Sequence, residues 1–141
     1  MNFTYKDYRK VMARLRDNGY TFANYHDFAE HKRCVIMRHD VDNSLSQAVR
    51  LAELEAENGV QSTFFVLLRT DFYNAASASA QKMLHRILEL GHEIGLHFDE
   101  MAYDGGSGED MIHRILREKE MLSALLETEV TTVSMHRPSK T

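Results

Sequence analysis

Cysteine and proline each occur only once in these 141 residues. A single thiol, Cys34, excludes an internal disulfide, and its place in an apolar run marks it as a small buried hydrophobe rather than a reactive group. That usage suits a reducing compartment. The lone proline, Pro138, comes so late that no helix before it is interrupted. Excess positive charge is missing too: 17 Lys and Arg stand against 21 Asp and Glu, a net charge of −4. With no clustered basic stripe, nucleic-acid binding is not expected. No window approaches the ~18 apolar residues of a membrane span, and Met1 to Tyr20 contains no apolar leader core. The expectation is a cytoplasmic protein without a membrane span.

What is present is ordinary for a folded domain: 43% apolar and 27% charged residues exclude disordered and fibrous classes. The length suits one domain spanning residues 1–141, small for a barrel enzyme. From Tyr5 to Asn18, Tyr5, Tyr8, Val11, Met12 and Leu15 recur at helical spacing, and residues 1–33 read as a helix followed by a covering segment. Asp27 can open a short helical turn. Cys34 to Arg38 reads as a buried strand with Asp40 and Asp42 at its exit. Ser44 and Gln47 look like a capping box for a helix ending at Asn58-Gly59. Ser62 to Leu68 is a second strand, and Ser77 or Ser79 caps a helix that ends before Gly91. Glu93 to Phe98 is a third strand. A glycine-containing loop then opens into a helix with Met111, Ile112, Ile115, Leu122, Leu125 and Leu126 inward. Val130 to Met135 is a fourth strand. Strands alternating with helices imply an α/β fold with parallel strands and right-handed crossovers.

In such an array all strand ends point to one rim, so Asp40, Asp42, His97, His136 and Arg137 are expected to meet there. Strand alternation supports this, since Ile94 and Leu96 would face the helices and turn His97 the other way. By the same parity Val133 and Met135 face the helices while Thr132, Ser134 and His136 face the polar side. Two imidazoles and a carboxylate are a common ligand set for zinc or a similar divalent metal. A second carboxylate close by can serve as general base. The plainer alternative is that Asp-x-Asp is a turn or helix cap and that a strand-end histidine is structural. His92, about five extended residues from His97, reads as structural. His26, His31, His85 and His113 read as surface residues, and His39, opposite in parity to Asp40, orients it or packs under the helices.

Arg38-His39-Asp40-Val41-Asp42, Gly91-His92-Glu93-Ile94-Gly95-Leu96-His97 and Ser134-Met135-His136-Arg137-Pro138-Ser139 resemble, in order and spacing, the first three motifs of the polysaccharide deacetylases, the NodB-homology carbohydrate esterases. The branch most resembled is the WbmS-like group associated with bacterial surface-polysaccharide gene clusters. The resemblance implies a partial or distorted (β/α) barrel and metal-dependent removal of an acetyl group from an N- or O-acetylated sugar or polysaccharide precursor. It also assigns roles: Asp40 resembles the catalytic base, Asp42 and His97 metal ligands, and Arg137 the arginine that holds the base. The family's second histidine falls at Met101, whose thioether is a poor ligand for zinc. His136 is therefore the preferred third ligand, ahead of Asp99 or Glu100. The family's barrel also needs more βα units, so a C-terminal half or a homodimer partner is expected to complete it. The competing expectation is a catalytically incomplete deacetylase-like domain serving as a carbohydrate-binding or assembly module.

Overall fold

The computed structural model describes residues 4–103 and 105–135. Thr4 caps the first helix, α1 (Tyr5–Asp17), in a reciprocal capping box with Asp7. Two short strands, β1 (Thr21–Ala23) and β2 (Cys34–Ile36), pair in parallel around a 3-10 turn at Phe28–Glu30. Next come β3 (Arg38–Val41), α2 (Leu45–Glu57), β4 (Thr63–Val66), α3 (Ala78–Glu89), β5 (Glu93–Phe98), α4 (Gly108–Leu126) and β6 (Val133–Met135). The main sheet has the order β3-β4-β5-β6 and is parallel throughout. This is the expected α/β fold of parallel strands and crossover helices. Among the described residues it forms an open sheet, a part of a barrel.

The core lies between the sheet and α2, α3 and α4. Phe64, Val66, Ile94, Leu96 and Phe98 point from the strands into a cluster with Ala52, Leu84, Ile87, Leu122 and Leu126. The Phe, Val, Ile and Leu side chains among these each contribute about 1.5–3 kcal/mol by leaving water. A smaller cluster seats α1 against α2 through Tyr8, Met12, Leu54 and Val60.

Local differences from the sequence reading have physical reasons. The run expected as one strand, Cys34 to Arg38, breaks at Met37 into β2 and β3, which belong to different sheets. Asp40 consequently lies inside β3 rather than beyond a strand. β1 escaped the sequence reading because three residues are too few to display a period. Ser44 accepts from the Gln47 N–H at 3.2 Å, whereas the reciprocal half of the expected box is not among the cap contacts. Ile112, expected inward, is 58% exposed, and α4 buries Glu118 instead. Val133 and Met135 lie on the outermost strand, where both remain more than a third exposed.

Candidate functional site

The site begins with the alternation of β3. His39 and Val41 turn toward the helices, which leaves Arg38 and Asp40 side by side on the opposite face. Asp42 follows as the chain leaves the strand. Across the sheet, Asp40 pairs in register with Phe65, and Phe65 with Gly95. A Cβ on Gly95 would lie 2.7 Å from the Phe65 ring and 2.9 Å from the Thr132 carbonyl. Glycine at this position lets the ring lie across the sheet as a floor. Above that floor stand His97, with ring centroids 6.3 Å apart, and the Arg38 guanidinium, 4.5 Å from the ring centre.

The rim therefore gathers three of the residues expected there. His97 Nε2 lies 3.5 Å from Asp42 Oδ1 and 3.8 Å from Asp40 Oδ2. The imidazole is only 1% exposed, whereas the two carboxylates are about two fifths exposed, so the acids form the mouth and the ring the base. Arg38 donates to Asp40 Oδ1 at 2.5 Å and to Ser134 Oγ at 2.8 Å. Burial works against the Arg38 charge, but the hydrogen bond and attraction from Asp40 outweigh it and hold the guanidinium pKa above its ordinary value. Sequence reading missed Arg38 as the partner of Asp40. The signal was available, because residues two apart on a strand share a face.

A second missed residue is Tyr73, in the connection after β4. Its hydroxyl donates to the Val41 carbonyl at 2.5 Å and accepts from the Leu67 N–H at 2.8 Å, which clasps the exits of β3 and β4 together. Burial pushes its pKa up, so it stays a protonated donor. Behind β3, Glu55 is fully buried and accepts from Tyr8 at 3.0 Å, from His39 at 2.8 Å and from Ser62. His39 thus packs under the helices and is separated from the rim by its own strand.

His136 and Arg137 lie outside the described residues. Asp99, Glu100 and Met101 are described: Asp99 caps a 3-10 turn, Glu100–Ala102, by accepting from the Met101 N–H at 3.0 Å, and Met101 is 66% exposed. Asp99 and Asp42 line a common cavity of about 480 Å³. Among the described residues no group of three or more His, Cys, Asp or Glu is placed to hold a metal ion. The donors that do converge nevertheless fit one. Two ligand atoms each ~2.1 Å from a tetrahedral zinc stand about 3.4 Å apart, and Asp42 Oδ1 and His97 Nε2 are 3.5 Å apart.

The parallel sheet delivers two acids and an imidazole to one rim, which defines an α/β protein with a strand-end site. No protein-family model and no curated protein matches the chain. Among solved structures, the chain is similar to the Streptococcus pyogenes deacetylase PplD in complex with acetate, with 14% identity, a TM-score of 0.71, and coverage of 92% of this chain and 61% of that one. IcaB from Ammonifex degensii gives 15% identity, a TM-score of 0.69, and coverage of 94% and 66%. A family 4 carbohydrate esterase from Bacillus anthracis gives 20%, 0.53, and coverage of 88% and 56%. The chain spans less than two thirds of the length of each. What it shares with them is the fold, which matches that of the polysaccharide deacetylases. No helix among the described residues is long and apolar enough to cross a membrane.

Proposed function

We propose that the chain carries the rim of a metal-dependent hydrolase that removes an acetyl group from an N- or O-acetylated sugar. The WbmS-like resemblance would place it in bacterial surface-polysaccharide biosynthesis. The observation that carries the reading is the convergence of Asp42 Oδ1 and His97 Nε2 to 3.5 Å with Asp40 beside them. A fold shared with a deacetylase solved in complex with acetate, the acid that deacetylation releases, supports it.

In this reading Asp42 and His97 hold a divalent cation, zinc by preference, with His136 as third ligand. When bound, such a cation supplies charge that polarises a carbonyl and acidifies water. Asp40 accepts the proton of the attacking water. Arg38 on its far oxygen holds that carboxylate and aims the other oxygen at the mouth, the part the family resemblance gives to Arg137. The Phe65 floor closes one side of the pocket and limits water there. A C-terminal continuation or a second copy would supply the remaining βα units.

The test is acetate release from acetylated sugars, together with the metal content of the purified protein, for the unmodified chain and for Asp42→Ala. Acetate release and metal that both disappear in Asp42→Ala support the reading; unchanged metal in that variant overturns the ligand assignment. The presence of only two converged donors among the described residues favours, as the second reading, a sugar-binding module without hydrolysis. Glycan binding by metal-free protein that releases no acetate would select it.

A further inference from the structure

We propose that the cleft beside Asp42 continues into an anion-binding subsite built on Arg69, Arg117 and Thr70, so that the acetylated sugar taken by this site carries a carboxylate or phosphate group. This inference rests on the deacetylase reading for the acetyl group and on separate residues for the charge.

The cavity lined by Asp42 and Asp99 shares Arg69, Thr70 and Asp71 with a second cavity of about 580 Å³, which continues to Tyr103, Arg117 and Glu118. The two form one groove leading away from the rim. Arg69 and Arg117 are exposed along it, and neither is in an ion pair among the described residues. The Arg69 guanidinium carbon lies over the Tyr103 ring, 4.5 Å from its centre, and that of Arg114 lies 4.7 Å from the same ring centre. That stacking orders the planar fork before any ligand arrives, and such a fork matches carboxylate and phosphate oxygens in pairs. Thr70 Oγ1 accepts from the Phe72 N–H at 3.2 Å, which leaves its own proton to donate.

Four carboxylates face the groove and oppose an anion: Asp42 and Asp99 at the rim end, Asp71 at the shared boundary and Glu118 at the far wall. Glu118 is buried and accepts from the Tyr103 hydroxyl, and burial pushes its pKa up against the lowering effect of that hydrogen bond and of Arg69. The acidic group must therefore sit at Arg69 and Arg117, away from Asp42 and Asp99.

Calorimetric titration of the full chain with glucuronate, glucosyl phosphate and glucose separates the cases. At low salt at least one anion should bind roughly 10- to 100-fold tighter than glucose, with the advantage reduced by added salt. Whichever anion binds more tightly identifies the group as carboxylate or phosphate. In Arg69→Gln/Arg117→Gln the advantage should vanish while the thermal melt overlays that of the unmodified chain. The Lys/Lys variant, which keeps charge without the fork, should recover part of it. Equal binding of anions and glucose, or an unchanged advantage in the Gln/Gln variant, overturns the proposal. In Asp42→Ala anion binding should persist, so absent acetate release sinks the deacetylase reading without deciding this one.

Discussion

His92 and His97 lie on either side of the same strand's course and are both buried, 4% and 1% exposed, yet their surroundings are opposite. His92 Nδ1 accepts from the Ser62 N–H at 3.0 Å and its Nε2–H donates to the Ala52 carbonyl at 2.8 Å. Both ring nitrogens are thus spent on backbone, in a neutral tautomer that ties β4 to α2. His97 instead turns Nε2 toward two carboxylates at the solvent-facing rim. Burial therefore does not tell these two histidines apart; the chemistry of their partners does. The same lesson repeats on β3, where His39 is locked to Glu55 on the helix face and Asp40 opens to the rim on the other.

This contrast can be broken at graded cost. The largest effect is expected at the rim: Asp42→Ala should abolish both bound metal and acetate release, read by elemental analysis and an acetate assay, with little change in melting temperature. Metal retained at full stoichiometry would refute the contrast. Asp40→Asn should keep the metal but lower turnover by about 10²–10⁴-fold, the range for loss of a general base. On the structural side, Glu55→Ala leaves two buried donors, Tyr8 and Ser62, and the partly buried His39 without their acceptor and should cost about 3 kcal/mol in denaturant unfolding. His92→Ala strands one N–H and one carbonyl and should cost about 2 kcal/mol, with metal content unaltered.

The smallest expected effect is a pH dependence at the opposite end of β5. Burial raises the Glu93 pKa, but hydrogen bonds from His26, Thr132 and Thr63 outweigh it and leave the pKa below its ordinary 4.5. A depressed folded pKa means that the stabilisation is present above the unfolded value and is lost as pH falls through the folded one. Stability should therefore decline on acidification below about pH 4.5, and Glu93→Gln should flatten that decline. An identical acid slope in both proteins would show that these hydrogen bonds contribute nothing net.

Much of this was legible in one dimension because its causes are local. Alternating apolar residues in Glu93 to Phe98 define a strand and the face that His97 must take, since successive side chains cannot point the same way. Ser77 caps its helix through its own side chain, and the Asn58-Gly59 ending needs only a positive φ at Gly59. The parallel order follows from helices placed between strands. The convergence of Asp40, Asp42 and His97 was inferable from that order, though their distances were not.

Other features depended on which segments meet. The break at Met37 arises because Cys34–Ile36 pairs with β1 while Arg38–Val41 pairs with β4, a choice between two neighbours that a continuous apolar run does not encode. Arg38 holds Asp40 rather than pointing to solvent because Phe65 and Ser134, from two other strands, give its guanidinium a platform and a second acceptor. Tyr73 looked like any loop aromatic until β3 and β4 ended side by side beneath its hydroxyl. Local chain chemistry thus determined the helices, the strands of the main sheet, their order and the faces of their side chains, but not the split at Met37 or the pairing of β1. Only the packed structure decided the partners of each charge, because a hydrogen bond or ion pair depends on atoms brought within a few ångströms by chain segments far apart in sequence.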